Sequence, residues 1–239
     1  MKHWKEAYSL AMMEFKTSAV GMLFGILMII LVSLLLITSY TDYLERNYVG
    51  FDLLFILLFT VVPSWMRSKA FQPQKINETI FASPIYILQT TLPIPLDVVI
   101  KSRIVIYFLL SFPIQLLLLI AVYIFTPFQT SLSPLSYTAF SIIWLCFGFY
   151  VGHMFTTVEV GQKIRKGDMI LSVIGTIGGL IILLTFFHLL IGYGIVYLTM
   201  ISAQQWPIIS ICISVILAIL GVNIWIRSMK KQTNKLDYL

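Results

Sequence analysis

Hydrophobic residues in this chain gather into long unbroken runs rather than alternating with polar ones. Runs are read at about 19–39, 51–66, 104–125, 135–155, 170–188 and 207–226. An α-helix needs about 20 apolar residues to cross the ~30 Å hydrocarbon core of a bilayer. Inside lipid it also satisfies its own backbone polar groups. A membrane β-barrel would instead need short segments of alternating polarity. The pattern therefore predicts an all-α membrane protein with six crossings, a single transmembrane domain over residues 1–239. The second run is the shortest: its continuous apolar part begins at Leu53, and Pro63 and Trp65 mark its interfacial end.

Other stretches depart from the simple crossing pattern. Residues 1–16 are amphipathic, with Trp4, Tyr8, Leu10, Ala11, Met12 and Phe15 gathering to one side. Lys2, Lys5, Glu6 and Glu14 are expected to stay wet, which suits an N-terminal helix lying in the interface. A cleaved signal peptide fits less well, because the apolar run starts late and is longer than a signal core. Residues 169–203 hold no formal charge over 35 positions. One helix of that length would measure roughly 50 Å, well beyond the core. Gly192 and Gly194 fall where a break is wanted, so 170–188 is read as a crossing and 189–205 as a re-entrant or interfacial hairpin. Thr126 to Pro134 brings two prolines and no charge, a tight turn.

Composition agrees with lipid as the main solvent. The chain is 59% hydrophobic and 11% charged, with mean hydropathy +0.94, whereas soluble domains carry about 25% charged residues. The net charge of +6 reads as topology rather than nucleic-acid binding. Fifteen of the 16 Lys and Arg lie before the first run, in 67–103, between the fourth and fifth runs, or in the tail. Six crossings put these four regions on one side, and the positive-inside rule makes that side cytoplasmic, with both termini. Cys146 and Cys212 sit inside apolar runs and read as packing residues, and no metal-ligating cluster is visible.

The longest polar interruption is 67–103, with five Lys or Arg and four prolines. Asn77 is placed to cap a short helix through the sequence NETIF, and Ser83-Pro84 is a second start signal. A helix from Pro84 to about Leu92 would carry Ile85, Leu88 and Leu92 on one side. Pro93 and Pro95 stop it, and Pro95-Leu96-Asp97 begins the helix of the third crossing. Such a helix lies across one end of the bundle, either docking a partner or resting on lipid. In the shorter loop 156–168, Glu159, Gln162 and Arg165 would share one face of a helical extension.

Few residues suggest chemistry within the membrane. His153 and His188 lie close to the apolar runs, as proton or ligand groups or as plain interfacial residues. Gly175-Thr176-Ile177-Gly178-Gly179 would let helices approach closely. With Asp52 read as part of the loop before Leu53, the spans are free of Asp and Glu, and no HExxH or P-loop motif occurs, which removes intramembrane proteases and direct ATP hydrolysis.

The order of features resembles the permease subunits of type-two ABC transporters. It combines the amphipathic start, six crossings, a loop helix between the second and third, and an external hairpin between the fifth and sixth. Leu92-Pro93-Ile94 followed by Lys101-Ser102-Arg103 matches the step that leads from that family's coupling loop into the third crossing. The resemblance implies a coupling helix that docks an ATPase through Asn77, Glu78, Thr79, Phe81, Pro84, Ile85, Leu88 and Leu92. Glu159, Gln162 and Arg165 would make a lesser contact. It implies two copies of a separate ATPase carrying ATP and Mg²⁺, a second permease copy, identical or related, and no cofactor on this chain. It further implies no enzymatic activity here and export across a bacterial plasma membrane; spans read as uncharged make the route apolar, which suits an amphipathic or hydrophobic cargo. An antimicrobial or cytolytic peptide, a lipid-like molecule or a drug would qualify. A membrane scaffold or sensor, and the substrate-binding subunit of a vitamin importer, are the other classes open to six crossings.

Overall fold

A computed structural model describes residues 2–77, 80–163 and 166–236. The protein is an all-α membrane protein. Helix α1 (Lys2–Thr17) leads into α2 (Ala19–Arg46), followed by α3 (Val49–Thr60) and the single turn α4 (Val62–Trp65). The long polar stretch holds strands β1 (Gln74–Lys75) and β2 (Ile80–Ala82) and helix α5 (Pro84–Thr91). Helix α6 (Leu96–Phe125), the turn α7 (Phe128–Ser131) and α8 (Pro134–Val160) come next, then β3 (Gln162–Lys163). Helix α9 (Lys166–Thr185) runs into a π-helical turn (Phe186–Ile191), and α10 (Ile195–Gln205) and α11 (Pro207–Thr233) complete the chain.

Among the described residues, five helices are long and apolar enough to cross a membrane: α2, α6, α8, α11 and the stretch Ile170–Ile191. The run at 51–66 departs from a single crossing helix. Helix α3 has 12 residues, a rise of about 18 Å, and α4 restarts after Val61 with a proline in its first turn. Proline supplies no N–H to the preceding turn and so favours a fresh start. Pro113, by contrast, sits inside an unbroken α6.

The N-terminal helix forms, with its buried stripe shifted from the expected one: Ala11 is buried with Phe15 packed beside it, as expected, but other members change places. Ala7, Ala11 and Glu14 are the buried positions, whereas Trp4 and Tyr8 are about half exposed. The small Ala11 lets α1 lie close on α6, against Ile106 and Leu110. Glu14, expected to be wet, is fully buried because two arginines meet it there.

The bundle has two unlike ends. At one, Phe51, Phe55 and Phe59 line one face of α3 at four-residue spacing and stack in series. They join Tyr40, Phe128, Phe140 and Trp144 in an aromatic core. Phe55 meets Trp144 edge-on at 4.6 Å between centroids, a favourable ring geometry. At the other end lie the buried ends of the charged loops. The chain breaks at Gly192, whose φ of 81° suits a residue without a Cβ. Helix α10 therefore turns back as a separate 11-residue piece, too short to span. Helix α9 stands apart: its apolar stretch is almost entirely exposed, and among the described residues nothing lies within 4 Å of the Cβ positions of Gly175, Gly178 or Gly179.

Candidate functional site

The two loops at the charged end are sewn together by backbone pairing. Strand β2 is the middle of a three-stranded antiparallel sheet, with Ile80 opposite Lys163 and Phe81 opposite Gln162. The Ser83 N–H then donates to the Glu159 carbonyl at 2.9 Å. Asn77 does cap, accepting from the Ile80 N–H at 2.7 Å, but a strand follows it. Isoleucine and phenylalanine favour the pleated geometry, and Ile80 and Phe81, expected in a helix, lie in a hairpin arm instead. Glu78, Thr79 and Arg165 lie outside the described residues.

Helix α5 begins where Ser83-Pro84 places it. The Ser83 hydroxyl accepts from the Tyr86 N–H at 3.4 Å, and Pro84 occupies the first turn. Leu92 is already extended (φ −81°, ψ 158°), as a residue preceding proline tends to be. Tyr86 and Gln89 form the inward face of α5. The Tyr86 hydroxyl meets Thr233 Oγ1 of α11 at 2.6 Å, and Gln89 Oε1 accepts from Arg103 Nη2 at 3.2 Å. Ile85, Leu88 and Leu92 share the other side, with Leu88 54% and Leu92 46% exposed. Phe81 and Pro84 are half-buried beside it. Leu88 and Leu92 are thus the exposed part of the apolar stripe, and Ile85 is half-buried.

Beneath α5 lies a cluster of four charges from four segments. Arg67, just past α4, donates through Nε to Glu14 Oε1 at 2.5 Å and through Nη1 to Glu159 Oε1. Arg103 of α6 faces Glu14 Oε2 at 2.9 Å and Glu159 Oε2 at 4.0 Å. All four side chains are at most 5% exposed. Two carboxylates and two guanidiniums leave no net charge, the arrangement that makes burial of ions tolerable. Burial pushes the Arg67 guanidinium down to about 10, opposed by the Glu14 carboxylate; it keeps its proton at neutral pH.

Glu159 therefore belongs to this cluster rather than to an outer face. Helix α8 stops at Val160, Gly161 takes a φ of 114°, and Gln162 lies in β3. Glu159 and Gln162 do not share a helical face. The cluster itself was missed from sequence, since its members are scattered over about 145 positions. The one local signal was Ala7-Ala11-Glu14, a small-residue stripe that ends in a carboxylate.

A second polar junction lies at the aromatic end, around Asp52. Read from sequence as part of a loop, Asp52 sits in the first turn of α3 and is fully buried. Its carboxylate accepts from the Tyr43 hydroxyl (2.9 Å), the Ile195 N–H (2.9 Å) and the Val196 N–H (2.8 Å). His188 Nε2 lies 2.7 Å away. Asp52 thereby satisfies the open first turn of α10 and fixes the short helix to α2 and α3. His153, also fully buried, engages the Phe149 carbonyl through Nδ1 and packs against Tyr107. Both histidines are held by protein groups. Among the described residues no group of three or more His, Cys, Asp or Glu is placed to hold a metal ion. The chain matches no family model, no curated protein and no solved structure.

Proposed function

We propose that this chain is the membrane subunit of an ATP-driven transporter of the type-two ABC kind. In this reading α3 and α4 together make the second of six crossings, both termini face the cytoplasm of a bacterial cell, and α10 belongs to an external hairpin. Two copies of a separate ATPase supply ATP and Mg²⁺ chemistry, and a second permease copy completes the pathway. The observation that carries the reading is α5. It is a short helix that exposes Leu88 and, at its end, Leu92, with Ile85 half-buried, while its inner side is tied to α6 and α11. A helix that merely rested on lipid would not need a hydrogen-bonded inner face.

Closure of the ATPase dimer would press on Leu88 and Leu92, and the Gln89–Arg103 bond would pass that movement to α6. An apolar cavity of about 210 Å³ among Ile56, Trp144, Phe147, Leu180 and Phe187 supports a hydrophobic or amphipathic cargo. Export fits a cargo taken up from the cytoplasm or the inner leaflet.

The test is co-purification with a co-expressed P-loop ATPase, comparing wild type with an Ile85→Asp/Leu88→Asp chain. Loss of the ATPase from the double variant, with the membrane subunit still folded, is the expected result. Retention of the ATPase with unchanged stimulated hydrolysis would reject the docking role.

A further inference from the structure

Among the described residues the buried acids are Glu14, Asp52 and Glu159. Glu14 and Glu159 share two arginines, whereas Asp52 is paired only with His188. Asp52 Oδ1 accepts from the Tyr43 hydroxyl and the Val196 N–H, and Oδ2 accepts from the Ile195 N–H. The Tyr43 hydroxyl itself accepts from the Tyr197 N–H at 2.8 Å, so its own proton is turned to Asp52. Gly194 leaves room for this convergence, since a Cβ there would overlap both Asp52 Oδ2 and the Tyr43 hydroxyl. Three donors thus ask the carboxylate to accept, and His188 Nε2, 2.7 Å from Oδ2, is the fourth. The ring's second proton position is then Nδ1, which is buried and has no hydrogen-bond partner among the described residues.

We infer that the His188–Asp52 pair is a proton-operated latch, which takes up one proton on Nδ1 and in that state clamps the end of α9 and the start of α10 to α3. Charge is the first reason. With a neutral imidazole the junction holds a buried carboxylate without a counter-charge, the costly arrangement. A proton from water cancels that charge, no protein group gives one up, and the His188–Asp52 bond becomes a charge-assisted one, about twice as strong as its neutral form. The second reason is that nothing else here answers to the same pH range. Histidine ordinarily changes charge between about pH 5 and 8. Tyr40 and Tyr43 of α2, Tyr137 of α8 and Tyr193 and Tyr197 at α10 are phenols, which ordinarily hold their protons to about pH 10. Asp42, Glu45 and Arg46 lie exposed on the last turns of α2, and Arg46 pairs with Asp42. His3 is in α1, and His153 lies towards the charged end of α8. Placement is the third reason. His188 sits in the π-helical turn, a distortion frequent at functional sites. The segment it ends has little else to hold it: Leu184 is its one buried apolar side chain among the described residues, and the Asn47 amide donates to the Gly192 carbonyl at 3.2 Å. The inference needs only this junction; naming the external side as the source of the proton rests on the orientation proposed above.

Amide hydrogen exchange tests it on the full chain in phospholipid nanodiscs. After correction for intrinsic exchange rates, protection at Ile195, Val196 and Tyr197 should be several-fold greater at about pH 5.5 than at about pH 8, near the two ends of the ordinary histidine range. Amides of α6 and α8 should be equally protected at both. His188→Gln keeps a donor for Asp52 but takes up no proton, so the difference should vanish. A second measurement needs no variant to fold. In wild type labelled with ¹⁵N-histidine and ¹³C-aspartate, the ring that contacts an Asp carboxyl should be the Nε2–H tautomer at the higher pH and carry both protons at the lower. Protection at 195–197 that ignores pH, a difference that survives His188→Gln or extends to α6 and α8, or a ring with the same protons at both pH values would each overturn the proposal. No ATPase is present in this experiment, so its failure and that of the transport reading are separate outcomes.

Discussion

Arg103 of α6 donates to Gln89 of α5 at 3.2 Å, and neither side chain has appreciable contact with water. The same guanidinium faces Glu14 at 2.9 Å. One side chain thus joins the N-terminal helix, the short loop helix and a crossing helix.

Removing one member of the four-charge cluster should be costly. Glu14→Gln leaves Arg67 and Arg103 short of a counter-charge, a loss of about 3–5 kcal/mol for a broken buried pair. Removing an acid and a base together restores neutrality. Glu14→Gln/Arg103→Gln is therefore expected to lose less than the sum of its single variants. Thermal unfolding in detergent reads this directly, and strict additivity would show that the four charges do not act together.

The two faces of α5 should respond oppositely to alanine. Leu88→Ala, on the free face, is expected to shift stability by less than about 0.5 kcal/mol. Gln89→Ala strips a partner from buried Arg103 and should cost about 1–3 kcal/mol. An equal loss at both positions would mean that α5 is not oriented as described. Unfolding midpoints of the two variants decide it.

Asp52→Ala should free α10 without unfolding the bundle. The carboxylate caps two backbone N–H groups and holds Tyr43 and His188. Loss of a cap costs about 1 kcal/mol in ordinary helices, and here four partners go at once. Amide hydrogen exchange at Ile195, Val196 and Tyr197 should accelerate strongly while α6 and α8 stay protected. His188→Ala removes one partner of four and should produce a smaller change.

Gly152→Ala should damage the contact between α8 and α6. A Cβ there would overlap the Tyr107 phenol, whose hydroxyl donates to the Gly148 carbonyl at 3.3 Å. Overpacking of this kind costs about 1–3 kcal/mol. Tyr107→Leu in the same chain makes room and should recover part of the loss. Absence of any rescue would point to a different cause.

Much of the architecture is legible in local sequence, because helix starts and stops are local chemistry. Ser83-Pro84 opens α5, Pro93 and Pro95 separate it from α6, and Gly192 ends the long apolar stretch where expected. Of the stripe Ile85, Leu88 and Leu92, the last two are exposed and Ile85 is half-buried. What could not be read was which side faces out, since that depends on Arg103 and Thr233 reaching Tyr86 and Gln89 from distant helices. The burial of Glu14 and Asp52 was hidden for the same reason. Each looks like a wet carboxylate until its partners, Arg67 and Arg103 or the α10 backbone, arrive from elsewhere in the chain. The helix expected through NETIF failed where a residue cap, equally good for a turn, preceded two β-favouring side chains.

The join between α5 and α6 has a mechanical consequence. The linker Leu92-Pro93-Ile94-Pro95 has two φ angles set by rings, and the Ile94 N–H closes a tight turn onto the Leu92 carbonyl at 2.7 Å. Gln89 and Arg103 supply a second tie on the far side of that corner. Two ties and a stiffened corner make a triangle, and a triangle, unlike a hinge, does not fold under load. A push applied at Leu88 would meet these ties before α5 could swing, and would be passed to α6 through Arg103 and to α11 through Thr233.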